Sequence, residues 1–95
     1  MKIAVLGTGM VGSTIANKLV SLGHTVMMGS RSADNDKARA WAAAAGANAS
    51  TGTFADAAAF AEMVFNCTAG VASLEALQLA GSDNLAGKIL VDTAN

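Results

Sequence analysis

The apolar run Ile3-Ala4-Val5-Leu6 ends directly on Gly7-Thr8-Gly9-Met10-Val11-Gly12, and a helix-forming stretch opens behind it. That junction restricts the fold more than any other feature of the chain. In a G-x-G-x-x-G of this kind the first glycine allows a tight strand-to-helix turn. The second lets a pyrophosphate approach the backbone, and the third lets the helix pack closely on the strand. Phosphate would then rest on unpaired N–H groups at the helix N-terminus, where the macrodipole favours negative charge. The glycines alone are a weak signal in a glycine-rich chain. Their place after a strand and before a helix and a second strand gives them specificity. A glycine turn without a ligand is the plain alternative.

The second strand, His24-Thr25-Val26-Met27-Met28, is short, apolar and bounded by Gly23 and Gly29, as buried parallel strands are. A unit that binds NAD carries an Asp or Glu about 20 residues beyond the glycines to hold the ribose hydroxyls. Here that region reads Gly29-Ser30-Arg31-Ser32, with no carboxylate before Asp34. A carboxylate would repel the 2′-phosphate of NADP, whereas a guanidinium between two hydroxyls offers it charge-assisted donors. Ser30, Arg31 and Ser32 therefore point to NADP. Against this stands Arg31 as a solvated loop charge.

The 95 residues suffice for one small domain, 1–95, but not for a full six-strand doubly wound sheet. The hydrophobic share of 53%, much of it alanine, excludes disorder, and no apolar run approaches bilayer length. Met1-Lys2 leads straight into the first strand, so neither a secretory signal nor a membrane partner is expected. Six basic and seven acidic residues, without a basic block, argue against nucleic acid as a partner. Cys67 stands alone, which rules out a disulfide framework or a cysteine-based metal site and fits a cytoplasmic protein. A lone cysteine behaves most often as a small buried hydrophobe. His24 opens a strand at the end of the sheet away from the glycine turn, which suits a structural or surface role.

Apolar residues Val11, Ile15, Leu19 and Leu22 recur at helical spacing from Met10 to Leu22, with Gly23 as a C-cap. A second helix is expected over Ala38–Ala45, anchored by Trp41, with acidic residues ahead of it and Gly46 behind. Strand three falls at Asn48–Thr51. Thr53-Phe54-Ala55-Asp56 is a capping-box pattern for a helix reaching Ala61. Strand four is Glu62–Cys67, with polar Asn66 satisfying backbone or cofactor groups. A helix over Val71–Leu79 places Leu74 and Leu77 on one side, and strand five is Lys88–Asp92. The alternation predicts an α/β, Rossmann-like doubly wound parallel sheet in the order 3-2-1-4-5. Ligands bind such sheets beyond the carboxyl ends of the strands. That gathers Thr8, Ser30, Arg31, Thr68, Ala69, Gly70 and Asn95 along one edge. An uncovered strand five would invite a homo-oligomer, a dimer in the simplest case.

The segment Lys2 to Gly12, followed by Gly23-His24 and Gly29-Ser30-Arg31-Ser32, resembles the N-terminus of the deazaflavin (coenzyme F-420)-dependent NADP oxidoreductases. The resemblance spans the whole chain, and its most specific part is the glycine loop paired with Gly-Ser-Arg. It implies that Thr8, Gly9, Met10 and Val11 line the pyrophosphate, that Ser30 and Arg31 hold the 2′-phosphate, and that Lys37 assists. It also implies that the loop after strand four borders the nicotinamide. There the family often has a proline, and this chain has Thr68-Ala69-Gly70 and no proline at all. Hydride passes directly between deazaflavin and nicotinamide in the family, so no catalytic side chain and no metal are expected. Family members also continue past the point matching Asn95, and 1–95 is expected to be the N-terminal part of a longer protein.

Other functions share this opening. An NADPH-dependent reductase of a flavin, an imine or a hydroxy acid would present the same glycine loop. A non-enzymatic NADP-sensing module would need nothing more than the binding edge.

Overall fold

Short apolar segments alternate with alanine-rich helical ones, and right-handed crossovers then stack the strands side by side. The computed structural model describes residues 1–93. In chain order the elements are β1 (Lys2–Leu6), α1 (Met10–Ser21), β2 (Thr25–Ser30), α2 (Asp36–Ala45) and β3 (Ala49–Thr53). They continue with α3 (Phe54–Phe60), β4 (Met63–Asn66), α4 (Ala72–Ala80), α5 (Ser82–Leu85) and β5 (Ile89–Asp92). All strand pairs are parallel, in the order β3-β2-β1-β4-β5. This is the Rossmann-like doubly wound sheet predicted from the sequence. Leu6 pairs with Gly29 on one side and Asn66 on the other, so β1 and β4 end level and β2 runs one residue further, to Ser30.

The sheet is covered on both faces, which is why β1 reads as an unbroken apolar run. Val5, Val26 and Met28 pack against Ala16 of α1 and against Ala38 and Trp41 of α2. On the other face Ala4, Leu6 and Val64 meet Phe54, Ala57 and Ala58 of α3 and Ala76 and Ala80 of α4. Trp41 carries a polar edge into its layer, and its Nε1–H donates to Asn17 Oδ1 at 2.9 Å, tying α2 to α1.

Small residues set the helix–sheet spacing, and this reverses two expectations. In α1 the fully buried positions are Gly12 and Ala16; Ile15 and Leu19 pack against that layer as expected, but Val11 and the C-cap Leu22 are more than half exposed. In α4 they are Ala76 and Ala80, and Leu74 is 65% exposed rather than facing inward with Leu77. A helix that seats alanine on the sheet comes close enough to leave its large side chains on the flanks.

Boundaries shift by a residue or two. β2 runs on to Ser30, β3 occupies 49–53 rather than 48–51, and β4 stops at Asn66. β3 has weak strand composition and is held by pairing with β2. Helix α2 begins at Asp36, where Asn35 Oδ1 accepts the Ala38 N–H at 3.0 Å. The capping box at α3 is present: Thr53 Oγ1 accepts from Asp56 N at 3.0 Å, and Asp56 Oδ2 accepts from Thr53 N at 3.1 Å. The four-residue α5 was not expected, being too short to show a period. It places Leu85 against the α3–α4 layer. β5 forms one edge of the sheet, with Ile89 and Leu90 exposed. No helix among the described residues is long and apolar enough to cross a membrane.

Candidate functional site

Every strand-to-helix turn on the carboxyl side of β1, β2 and β4 opens towards one crevice. A cavity of about 330 Å³ lies there, lined by Gly7, Thr8, Gly9, Ser30, Arg31, Asn35, Phe54, Cys67, Thr68, Ala69 and Ala72. It sits where β1 pairs with both β2 and β4, the point at which the chain reverses its direction of travel across the sheet.

The three glycines of the β1–α1 turn are needed for three different reasons. Gly7 has φ +123°, a conformation that side chains rarely tolerate, and its N–H donates to Gly29 O at 2.9 Å. Gly12 lies against the preceding turn, and a Cβ there would stand 2.7 Å from Gly7 O. Gly9 differs from both. Its φ of −78° is open to any residue, and a Cβ added to it would meet nothing within 4 Å. Neither backbone conformation nor packing requires glycine at 9. What a side chain would occupy there is the cavity.

Gly9 is also the N-cap of α1, and it supplies no side-chain cap. The first turn carries no acidic residue, whereas α2 and α3 are both capped by side chains. The twelve-residue α1 therefore presents its N-terminal N–H groups and the positive end of its dipole to the cavity wall.

On the β2 side, Ser30 is 5% exposed and its hydroxyl donates to Ser32 O at 2.6 Å, fixing the bend that follows the strand. Arg31 extends from that bend and donates from Nη1 to Glu75 Oε1 on α4. Ser32 Oγ donates to Asp34, and this bond is the main reason the exposed Asp34 carboxyl is held below its ordinary range.

On the β4 side, Asn66 is fully buried, and both polar atoms of its side chain have partners. Its Nδ2 donates to Ser73 Oγ at 2.8 Å, while Oδ1 accepts from Thr68 Oγ1 at 2.6 Å and from Thr68 N at 3.3 Å. Its backbone carbonyl accepts from both N and Oγ1 of Thr93 at 3.0 Å. The carboxamide thus fixes the loop that carries Thr68 and Ala69 along the cavity. Cys67 is half-buried, and burial pushes its thiol above the ordinary value, a bond from Thr93 Oγ1 opposing this only in part. Its alkylation by iodoacetamide at pH 7.5 should therefore be slower than that of free cysteine and should accelerate as pH rises past 9. Labelling rates followed by mass spectrometry test this, and a rate matching free cysteine would contradict it.

Of the residues singled out in the sequence, Gly7, Thr8, Gly9, Ser30, Arg31, Thr68 and Ala69 line the cavity. Gly12 lies beneath it, packed on the turn. Met10, Val11, Ser32, Lys37 and Gly70 are exposed and outside the lining, and Asn95 is outside the described residues. Sequence reasoning missed Asn35, Phe54 and Ala72, and it read Cys67, which is half-buried and also lines the cavity, as a small buried hydrophobe. The first two carried a signal of another kind, as the N-cap of α2 and the first residue of α3. Among the described residues no group of three His, Cys, Asp or Glu could hold a metal ion.

The same architecture recurs among solved structures. A protein from Arthrobacter sp. FB24, an inferred F420-dependent NADP reductase, superposes with a TM-score of 0.89 and 48% identity, covering 100% of this chain and 46% of that one. The imine reductase of Streptomyces aurantiacus gives 0.81 at 26% identity, over 99% of this chain and 32% of its own. Pyrroline carboxylate reductase of Plasmodium falciparum, solved with NADP bound, gives 0.73 at 13% identity, over 99% and 33%, a likeness of fold alone. The chain thus spans less than half the length of these proteins. No functionally curated protein matches it. A family model described as NADP oxidoreductase, coenzyme F420-dependent, matches residues 2–95. Glycine turn, arginine-bearing β2 loop and whole-length match agree, and the chain belongs to the coenzyme F420-dependent NADP oxidoreductase family.

Proposed function

We propose that residues 1–95 form the NADP-binding unit of an oxidoreductase that exchanges hydride between NADP(H) and a deazaflavin coenzyme. Gly9 carries this reading: it is a glycine that neither backbone nor packing requires, standing over a cavity at an uncapped helix N-terminus. A pyrophosphate fits that space and chemistry, with the N–H groups of the first turn of α1 as donors. Arg31, beside Ser30, is the cation for the 2′-phosphate at the end of β2. Thr68 and Ala69, held by Asn66, border the nicotinamide half. Bound NADP supplies the carbon that accepts or releases hydride, and this chain supplies its position and its electrostatic surroundings.

The deazaflavin is favoured as second substrate by the neighbour at 48% identity. Imine reductases at 25–26% identity support a second reading, an NADPH-dependent imine reductase on the same cofactor edge. Hydride transfer needs the second ring held about 3–3.5 Å from the nicotinamide carbon. The described residues build one wall of such a site. The purified chain is therefore expected to bind NADP and to oxidise reduced deazaflavin at a small fraction of a complete reductase's rate. Stopped-flow mixing of the chain with NADP and reduced deazaflavin, followed by deazaflavin absorbance, measures this. Absence of NADP binding would remove the proposal. NADPH consumption with a cyclic imine and none of the deazaflavin reaction would replace it with the second reading.

A further inference from the structure

The Arg31–Glu75 ion pair links the two sides of the cavity. Arg31 follows the last residue of β2, and Glu75 lies in the first turn of α4, 44 residues further along the chain. Because β1 stands between β2 and β4, the guanidinium reaches across the central strand to make this contact. Both partners remain substantially exposed, with side-chain accessibilities of 63% and 45%. A pair so placed is weak and exchanges readily.

The same guanidinium is the cation assigned above to the 2′-phosphate, and the inference rests on that assignment. A phosphomonoester brings a charge of about −1.5 to −2 at neutral pH. A carboxylate sharing one fork with it would stand close enough for strong mutual repulsion. Arg31 therefore serves one anion or the other.

We propose that Glu75 is a specificity-determining gate, holding Arg31 across the cavity in the nucleotide-free protein and surrendering it to the 2′-phosphate of NADP. Apparent affinity falls by the fraction of protein in which Arg31 is released, so the carboxylate sets how much of the arginine's attraction NADP receives. NAD lacks the phosphate and is affected less. Glu75 thus narrows the margin between the two nucleotides.

Calorimetric titration of the purified chain with NADP and NAD tests this on wild type, E75Q, R31A and the double variant. Glutamine keeps the length of an exposed side chain, so circular dichroism should show an unchanged fold. E75Q is expected to bind NADP roughly two- to fivefold more tightly, the scale of an exposed ion pair, and to widen the NADP-to-NAD ratio. In the R31A background the same change should leave NADP affinity unaltered. An E75Q protein with unchanged or weaker NADP binding would overturn the gate. So would equal tightening in the R31A background, which would mean plain repulsion of the nucleotide by Glu75. R31A binding NADP as tightly as wild type is a separate result, one that removes the phosphate-site assignment itself.

Discussion

Replacing Gly9 with valine is expected to abolish NADP binding while leaving the fold standing. The two outcomes separate because the protein makes no internal use of the glycine. Its φ of −78° and ψ of −170° suit a β-branched residue, and a Cβ meets no atom within 4 Å. The new side chain would occupy the space needed by the pyrophosphate. Losing two or more charge-assisted N–H contacts, at about 1.5–3 kcal/mol each, weakens binding by at least about a hundredfold. Valine is a poorer N-cap than glycine, so stability should fall by roughly 1 kcal/mol. Calorimetry gives the affinity, and thermal melting of the same sample gives the stability. A folded Gly9→Val protein that binds NADP like wild type would place the phosphates elsewhere.

Arg31→Ala is expected to weaken NADP roughly 10- to 150-fold, corresponding to a charge-assisted contact of about 1.5–3 kcal/mol. NAD, without the 2′-phosphate, should change little. The ion pair with Glu75 is exposed at both ends, so its loss should move stability by less than about 1 kcal/mol. Titration of both nucleotides into both proteins, at one fixed salt concentration, provides the comparison. Parallel weakening of NADP and NAD would show that Arg31 shapes the cavity without reading the phosphate.

Much of this molecule follows from local rules that a sequence carries openly. The Gly7 turn, the capping box at Thr53–Asp56 and the alternation of strands with helices each depend on residues a few positions apart. Together they dictate a parallel sheet in the order β3-β2-β1-β4-β5 and the edge on which a ligand would lie. The absence of a carboxylate before Asp34, with Arg31 in its stead, is equally plain in the sequence.

Layer packing was less legible. Periodicity favours large apolar residues, so it pointed inward at Val11, Leu22 and Leu74, whereas Gly12, Ala16, Ala76 and Ala80 hold those faces. Volume matching between a helix and a sheet is a property of the pair, and neither partner encodes it alone. β3 escaped clear definition for a related reason, since its pairing with β2 outweighs its own weak propensity.

The fold class, the glycine turn and the cation at the end of β2 are all written in the order of residues along the chain. Packing in three dimensions settled that Gly9 faces open space while Gly12 faces backbone, and that Asn35, Phe54, Cys67 and Ala72 complete the cavity. It also decided that Arg31 meets a carboxylate 44 residues away. Turns and caps are short-range bonds within one stretch of backbone, whereas a cavity wall is set by how separate stretches pack. No local spacing in the chain records that distance.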